Sequence, residues 1–565
     1  MASIPIRNRI RSVVGGLFRR PMIRAKDRFL QLAKTSCRAA QHRTLQRLLR
    51  LNAGSDFCRD HGLVAGLSAA EFRGRVPVTD FETFRPYIER MQAGQHSALL
   101  GSGNRLLMYA VTSGTTSEPK LIPLTRRFVA DYRRGWQNWG VAVIQQHPPL
   151  KLLRMVQITS NHQRFRTQDG TPCGNISGLV AAMQKAIVRR LYTVPAAVSG
   201  IDDPAAKRYA VARFAFADPW VGMLITANPS TLLQLVASAS DDAESLIRDI
   251  HDGSLSCSGV PSPVTVALQR SLRPDAQRAA ELQRIVSETG SLSPEHCWPH
   301  LTQLGVWTGG SAAAYSDQLQ QTFGPITVRD HGLHASEGRM TIPFEDNTAS
   351  GVLDIESHYF EFLPVAEAES TSPVVLEAQE LQPGADYFIL LTTSSGFCRY
   401  NIFDVVRCTG FFGTTPLLEF RHKGSHISSI TGEKITESQV VEAVHRATRQ
   451  CDVMPRQFTL TPVWSQPPGY QLYVADAQSS PASGLWSVFA EQVDIELRKI
   501  NCEYDEKRAT QRLAAVRCEW LPETAWQTFA ETRLAASGGS PEQYKHPCLL
   551  PDSKFERCFA TAAGL

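Results

Sequence analysis

Two stretches of this chain, WVGMLITANPSTLLQLVASA (Trp220–Ala239) and LTQLGVWTGGSAAAY (Leu301–Tyr315), run through the same order: an apolar segment, a short turn, then a helical pattern. A third, RLLMYAV (Arg105–Val111), leads through the hydroxyl-rich run TSGTTSEPK (Thr112–Lys120) toward Thr125. That threonine can cap a helix carrying Phe128, Val129, Tyr132, Trp136 and Trp139 on its apolar side. Strand–turn–helix units in series bury their apolar faces by stacking helices on a sheet. The expectation is therefore a layered α/β body.

The chain has 565 residues, too many for one compact domain; the length suggests about three or four. SAAEFRGRVPVTDFETFRPYIERM (Ser68–Met91) reads as short helices punctuated by Pro77 and Pro86. From about Gly351 the texture changes. HYFEFLPV, YFILLTT, DVVRCTGFF and LLEFRHKG are short β-rich runs broken by turn signals, so a β-rich part is expected over about residues 351–422. Beyond Lys423-Gly424 come a turn, a helix, the strand pair QFTLTPVW and YQLYVADA, and a helical segment at Leu485–Ile500. This reads as a smaller α+β domain over 423–565, after a larger α/β domain over 51–422.

Residues 1–50 form a basic amphipathic helical segment, with thirteen arginines and lysines against one acid, Asp27. Ile10, Val14, Phe18, Phe29, Leu32, Leu45 and Leu48 fall at helical intervals. The favoured reading is a helix packed on the body with arginines on its solvated face. Contact with an anionic membrane ranks second, and no nucleic-acid partner is expected. No apolar run reaches spanning length, and the N-terminus lacks an apolar core followed by a cleavage site, so the cytoplasm is the expected location. The cysteines are scattered with no C-x-x-C pair, which suits free thiols.

The hydroxyl-rich run can be tested as a P-loop. From Gly114 the lysine falls in place at Lys120, but Pro119 replaces the glycine before it and Leu121 replaces the metal-binding hydroxyl. The P-loop fails. What remains is a loop of Thr112, Ser113, Thr115, Thr116 and Ser117 around Gly114, whose hydroxyls and amides can donate to phosphate, with Lys120 able to add a point charge; alone, such a loop is more often a structural turn.

The run does not stand alone. TSGTTSEPK is followed in order by GLHASEG (Gly332–Gly338), RYNIFDVV (Arg399–Val406) and EFRHKGSHISSITGEKITE (Glu419–Glu437). This order resembles the adenylate-forming ligases and, more closely, the Gretchen Hagen family of acyl acid amido synthetases, the auxin-responsive type and its bacterial relatives. The similarity runs from about Asn52 to the C-terminus and takes in RVPVTDFETFRPYIERM, ANPSTLLQL and SPEQYKHP. The resemblance implies a large N-terminal domain, a smaller mobile C-terminal domain, and a cleft between them. There ATP and a carboxylic acid would give an acyl-adenylate and pyrophosphate, and an amino acid would then displace AMP to form an amide.

Roles follow from the resemblance residue by residue. Ser113, Gly114, Thr115 and Thr116 match the phosphate-binding loop, for the ATP β/γ-phosphates. Ser336 would face the α-phosphate, and Glu337, a hard carboxylate, would hold Mg²⁺. His334 receives no catalytic role. Asp404 matches the acid that accepts both ribose hydroxyls; where the family often has glycine before it, this chain has Phe403. Arg421 resembles the arginine near the ribose, although a surface ion pair would serve as well. Lys423 and Gly424 are the expected hinge. The catalytic lysine is Lys545 or Lys434, with Lys545 preferred for its late position. Gly309, Gly310 and Ser311, in WTGGSAAAY, match the turn near adenine and the acyl pocket. Trp136, Trp139, Phe165 and Met223 are acyl-pocket candidates on apolarity alone. Two other outcomes stay open: transfer of the acyl group to coenzyme A, and a non-catalytic nucleotide-fold protein docking through its basic arm.

Overall fold

The computed structural model describes residues 5–550, apart from residues 113–119, 185, 368–372, 425–426, 429, 432, 434, 466, 476–482, 510–512 and 538–543. Its centre is a four-stranded parallel sheet of Arg154–Gln157, Val221–Ile225, Gln303–Val306 and Thr327–Asp330, adjacent in chain order and linked through helices. Val221–Ile225 is buried along its whole length, the near-continuous apolar run that a sheet covered on both faces requires. Two of the expected strand–turn–helix units sit here. In the first, the Asn228 side chain accepts from Ser230 N at 3.0 Å and Pro229 opens the helix Pro229–Asp241, where no amide donor is needed.

The third unit lies alongside. Leu106–Thr112 pairs antiparallel with Lys120–Thr125, with Thr112 opposite Lys120. Thr125 Oγ1 accepts from Phe128 N at 3.1 Å and caps the helix Arg126–Gln146, which buries Phe128, Val129, Tyr132 and Trp139. A seven-stranded sheet occupies Thr341–Lys423, beginning ahead of the expected Gly351. Its long strands Asp386–Thr392, Tyr400–Phe412 and Thr415–Lys423 pair antiparallel.

The C-terminal part has a core of its own around Val440, Leu460, Leu472, Phe489 and Leu497. Gln457–Val463 and Gly469–Ala475 form the expected antiparallel pair, joined in parallel by Arg517–Trp520. A capping box between Thr436 and Gln439 starts the helix Glu437–Cys451.

Pro86 does not end a helix. It lies inside Phe81–Gln92, whose Phe81, Phe84, Ile88 and Met91 are buried. Burying four such side chains, at ~1.5–3 kcal/mol each, outweighs the ~3 kcal/mol cost of an interior proline.

The basic segment forms two helices, α1 (Ile6–Thr35) and α2 (Cys37–Leu51). α2 buries Cys37, Ala40, Thr44, Leu45, Leu48 and Leu49. Its Arg47 reaches Asp131 Oδ2 at 3.1 Å and two backbone carbonyls beside it. The last part of α1 buries Phe29 and Ala33, while its first part leaves Ile6, Ile10, Val13, Val14, Leu17 and Phe18 exposed. No helix among the described residues is long and apolar enough to cross a membrane, and all ten described cysteines are free thiols.

Candidate active site

The C-terminal ends of the four parallel strands open into a cavity of about 1400 Å³, lined beyond those ends by Ile158, Thr226, Trp307 and His331. This is where an open parallel sheet accepts ligands, because the chain leaves each strand there and turns away. The same cavity is lined by α1, by the seven-stranded sheet and by residues 544–547 of the C-terminal part.

Its polar end gathers charged groups from distant segments. Ser336 and Glu337 form the tip of a two-residue hairpin between His334–Ala335 and Gly338–Arg339, which delivers both to the cavity. Burial raises the Glu337 carboxyl above its ordinary value, against the pull of Lys423. Asp404 lies on the strand Tyr400–Phe412 directly opposite Lys423, and the Lys423 ammonium donates to Asp404 Oδ1 at 2.5 Å. Burial disfavours that ammonium, but Asp404 more than compensates, so its pKa rises. Lys545 enters from the C-terminal part with its ammonium 3.2 Å from the centre of the Trp307 ring, a cation–π contact. Burial lowers the Lys545 pKa to about 7. Lys120 lines the wall at the start of its strand, its pKa also lowered by burial.

Five hydrogen bonds hold this end in shape. Asp330 Oδ2 accepts from Thr308 N and Oγ1, both at 2.6 Å, and Asp330 Oδ1 accepts from Gly332 N at 2.5 Å. The Asn228 side-chain amide donates to Tyr544 O at 2.5 Å, and Cys548 N donates to Glu437 Oε1 at 2.7 Å, fixing the segment on either side of Lys545. Gly309 and Gly310 are small for a packing reason. A Cβ at Gly309 would stand 2.8 Å from Trp307 Nε1. One at Gly310, where φ is +58°, would stand 2.8 Å from the Phe420 ring.

The apolar end is walled by Trp136 and Trp139 from the helix Arg126–Gln146, Met155, Met223 and Ile225 from the parallel sheet, and Tyr192. Trp136 packs edge-on to His331 at 4.9 Å and to His334 at 5.7 Å, with the Arg339 guanidinium 4.6 Å over its ring. The Trp139 indole donates to Asp330 O at 2.7 Å. Burial pulls His334 down to about 3 and His331 well below its ordinary value, so both rings are neutral wall elements near pH 7.

The structure thus brings Ser336, Glu337, Asp404, Lys545, Gly309, Lys423 and Gly424 to one cavity, with Trp136, Trp139 and Met223. Several expected residues stand elsewhere. Ser113, Gly114, Thr115, Thr116 and Lys434 lie outside the described residues, as does the side chain of Ser311. Gly310 and Arg421 line a separate depression of about 300 Å³, where Arg421 Nη1 reaches Glu419 Oε1 at 3.5 Å. Arg421 follows Phe420 on one strand, and alternation turns the two to opposite faces. Phe165 is a half-exposed strand residue and does not line the cavity. Lys423, read as a hinge, binds Asp404 with its side chain. Lys120, at the end of the hydroxyl-rich run, and Trp307, at the start of the WTGGSAAAY turn, also line the cavity, as does Tyr400, which was given no role from sequence.

Phe403 has a backbone reason to attract notice. Its φ is +59°, the left-handed region where glycine is favoured. The chain holds the glycine-like turn with a phenylalanine, bracing it through Phe403 N to Asn401 Oδ1 and Gly424 N to Phe403 O, each 2.8 Å. Asp404, the next residue along the strand, stays in the cavity.

The comparisons with known proteins agree with one another. Residues 26–328 match the GH3 family N-terminal domain, 351–423 the GH3 family central domain, and 438–554 the GH3 family C-terminal domain. The indole-3-acetic acid-amido synthetase GH3.8 of Oryza sativa subsp. indica is 27% identical over 455 residues, covering 75% of this chain and 72% of that protein. The jasmonoyl–L-amino acid synthetase JAR4 of Nicotiana attenuata is 24% identical over 430 residues, covering 72% and 73%. In three dimensions the GH3.15 acyl acid amido synthetase superposes with a TM-score of 0.82 at 21% identity, covering 94% of this chain and 95% of its own. A 2-hydroxyisobutyryl-CoA ligase in its postadenylation state gives 0.53 at 12% identity, over 94% of each chain. The fold is that of the adenylate-forming ligases, and the chain belongs to the GH3 family.

Proposed function

We propose that this protein is an ATP-dependent ligase that activates a carboxylic acid as its acyl-adenylate and joins it to an amino acid, working in the cytoplasm. The observation that carries this reading is a single cavity holding Glu337, Asp404 and Lys545 at one end and an aromatic wall at the other. In the first step a carboxylate oxygen attacks the α-phosphorus and the α–β bond breaks, releasing pyrophosphate. In the second the amine attacks the acyl carbon, the bond to AMP breaks, and the amine gives up a proton.

Each charged group has a part. Asp404, oriented by Lys423, accepts the ribose hydroxyls. Lys545, held over Trp307, presents its positive charge to the α-phosphate where negative charge builds in the transition state. Ser336, on the hairpin tip, faces the α-phosphate, and Ser113, Gly114, Thr115 and Thr116 donate to the outer phosphates. Lys434 is the alternative lysine, and Arg421 lies across Phe420 from the ribose position. Lys423-Gly424 is the pivot about which the C-terminal part turns for the second step. Mg²⁺ fits the donor set: a buried carboxylate at Glu337, facing the space for phosphates, is the kind of site that ion takes. When bound it withdraws charge from the phosphate oxygens. The aromatic wall of Trp136, Trp139 and Tyr192 supports an acid with a large apolar body.

Pyrophosphate exchange into ATP, run with the purified protein across aromatic, indolic and aliphatic acids, tests the first step. No exchange with any of the acids, together with no ATP binding, overturns the reading. Product mass after adding amino acids or coenzyme A then separates an amide from a thioester.

A further inference from the structure

The first part of α1 is amphipathic with its faces reversed. Ile6, Ile10, Val13 and Leu17 recur at intervals of three and four residues, so they share one side of the helix. That side faces outward: their exposures are 75%, 59%, 74% and 67%. The opposite side turns polar groups inward. Asn8 is fully buried, Arg11 donates to the carbonyls of Leu152 and Leu153 at 3.2 and 2.9 Å, and Arg19 donates to Ser12 O at 2.8 Å. An ordinary surface helix does the reverse. Arg9, Arg20, Arg24 and Arg28 lie along the same outward side and are exposed, and none forms an ion pair among the described residues. The one acid nearby, Asp27, is paired with Lys26 at 2.9 Å.

We propose that the outer face of α1 docks this protein on an anionic lipid surface, with Ile6, Ile10, Val13, Val14 and Leu17 entering the interface and the four arginines engaging headgroup phosphates. An apolar stripe edged with arginine is the composition that a bilayer interface rewards, and its positive charge is complementary to acidic headgroups. A second copy fits worse, because stacking this face on itself sets arginines against arginines. Arg11, Gly15, Phe18, Arg19 and Met22 of the same helix line the cavity. Docking therefore puts the wall of the cavity against the lipid. The proposal stands independently of which reaction the cavity performs.

Co-sedimentation of the full chain with vesicles tests it, using phosphatidylcholine alone and phosphatidylcholine mixed with phosphatidylglycerol. Wild type should pellet with the mixed vesicles and little with the neutral ones. Arg9→Gln/Arg20→Gln/Arg24→Gln should weaken binding to mixed vesicles by roughly a hundredfold, about fivefold per arginine. Val13→Asp/Leu17→Asp should abolish it at unchanged charge on the arginines. Both variants alter exposed side chains, and matching thermal unfolding curves confirm their fold; should the aspartate variant fail to fold, the glutamine variant decides alone. Equal partitioning of wild type and variants, or no binding to the mixed vesicles, overturns the proposal. So does self-association in sedimentation velocity that Val13→Asp/Leu17→Asp removes while vesicle binding is absent; that result assigns the face to a second copy.

Discussion

The two ends of the cavity are built by opposite means. The polar end receives single groups from far-apart segments: a hairpin tip at Glu337, a strand at Asp404, its neighbour at Lys423, and the C-terminal part at Lys545. The apolar end is a continuous surface, formed where one helix and the ends of parallel strands already meet as core. A group at the polar end can be removed with little harm to packing, whereas a group at the apolar end is shared between ligand and fold. The difference predicts which substitutions damage chemistry and which damage stability.

The sharpest contrast comes from Lys545→Ala. Under the proposed reading it should lower pyrophosphate exchange by ~10²–10³ for every acid alike, the usual cost of losing one preorganised charge at a transition state. Thermal stability should hardly fall. A variant that keeps most of its exchange activity would remove Lys545 from the chemistry and turn attention to Lys434.

Trp136→Ala attacks the other end. It strips the ring beneath Arg339 and beside His331 and His334. Unfolding free energy should fall by about 3 kcal/mol, read by denaturant titration, and the ranking of acids in the exchange assay should change. A uniform loss of rate with unaltered ranking would mean that the wall does not select the acid.

The pH dependence sets the two ends against each other again, because only the polar end titrates near neutrality. Lys545 is charged below its pKa of about 7 and neutral above it. If the ammonium is the active form, kcat/KM for ATP should fall as pH rises through about 7, by roughly tenfold per unit. Lys545→Arg should lift that limb out of the range. Stability runs the other way. Between about 7 and the ordinary lysine value of 10.5 the folded protein holds fewer protons than the unfolded chain. Its stability therefore gains with pH across that window, as the cost of a buried ammonium disappears.

The smallest effect is expected at Phe403→Gly. Relieving a left-handed phenylalanine should raise stability by about 1 kcal/mol, seen as a higher denaturant midpoint with Asp404 undisturbed. A lower midpoint would show that the ring's contacts are worth more than the backbone strain.

What could be read from sequence follows the same division. Strand–turn–helix units are local, so their periodicity and the cap at Thr125 were visible. So were Glu337 and Asp404, each embedded in a short ordered motif. The pairing of Asp404 with Lys423 was hidden because it depends on strand register, which no local pattern around either residue records. The placement of Lys545 over Trp307 joins segments that no local pattern connects. Phe165 shows the limit of apolarity as a guide: hydrophobic, yet half exposed on a two-residue strand. In the first part of α1 the spacing announced two faces, but not which one meets the body, and the side with Ile6, Ile10, Val13 and Leu17 proved to face outward.

One cavity is lined by Arg11, Glu337 and Lys545 together. A chain emerging from the ribosome folds from its N-terminal side first. It therefore displays the aromatic wall, then the carboxylates, and gains the lysine only when synthesis has reached residue 545. With Lys545 in the role proposed, a product that stops short of residue 545 would form the adenylate ~10²–10³ more slowly. The active site thereby depends on the chain being carried through to residue 545.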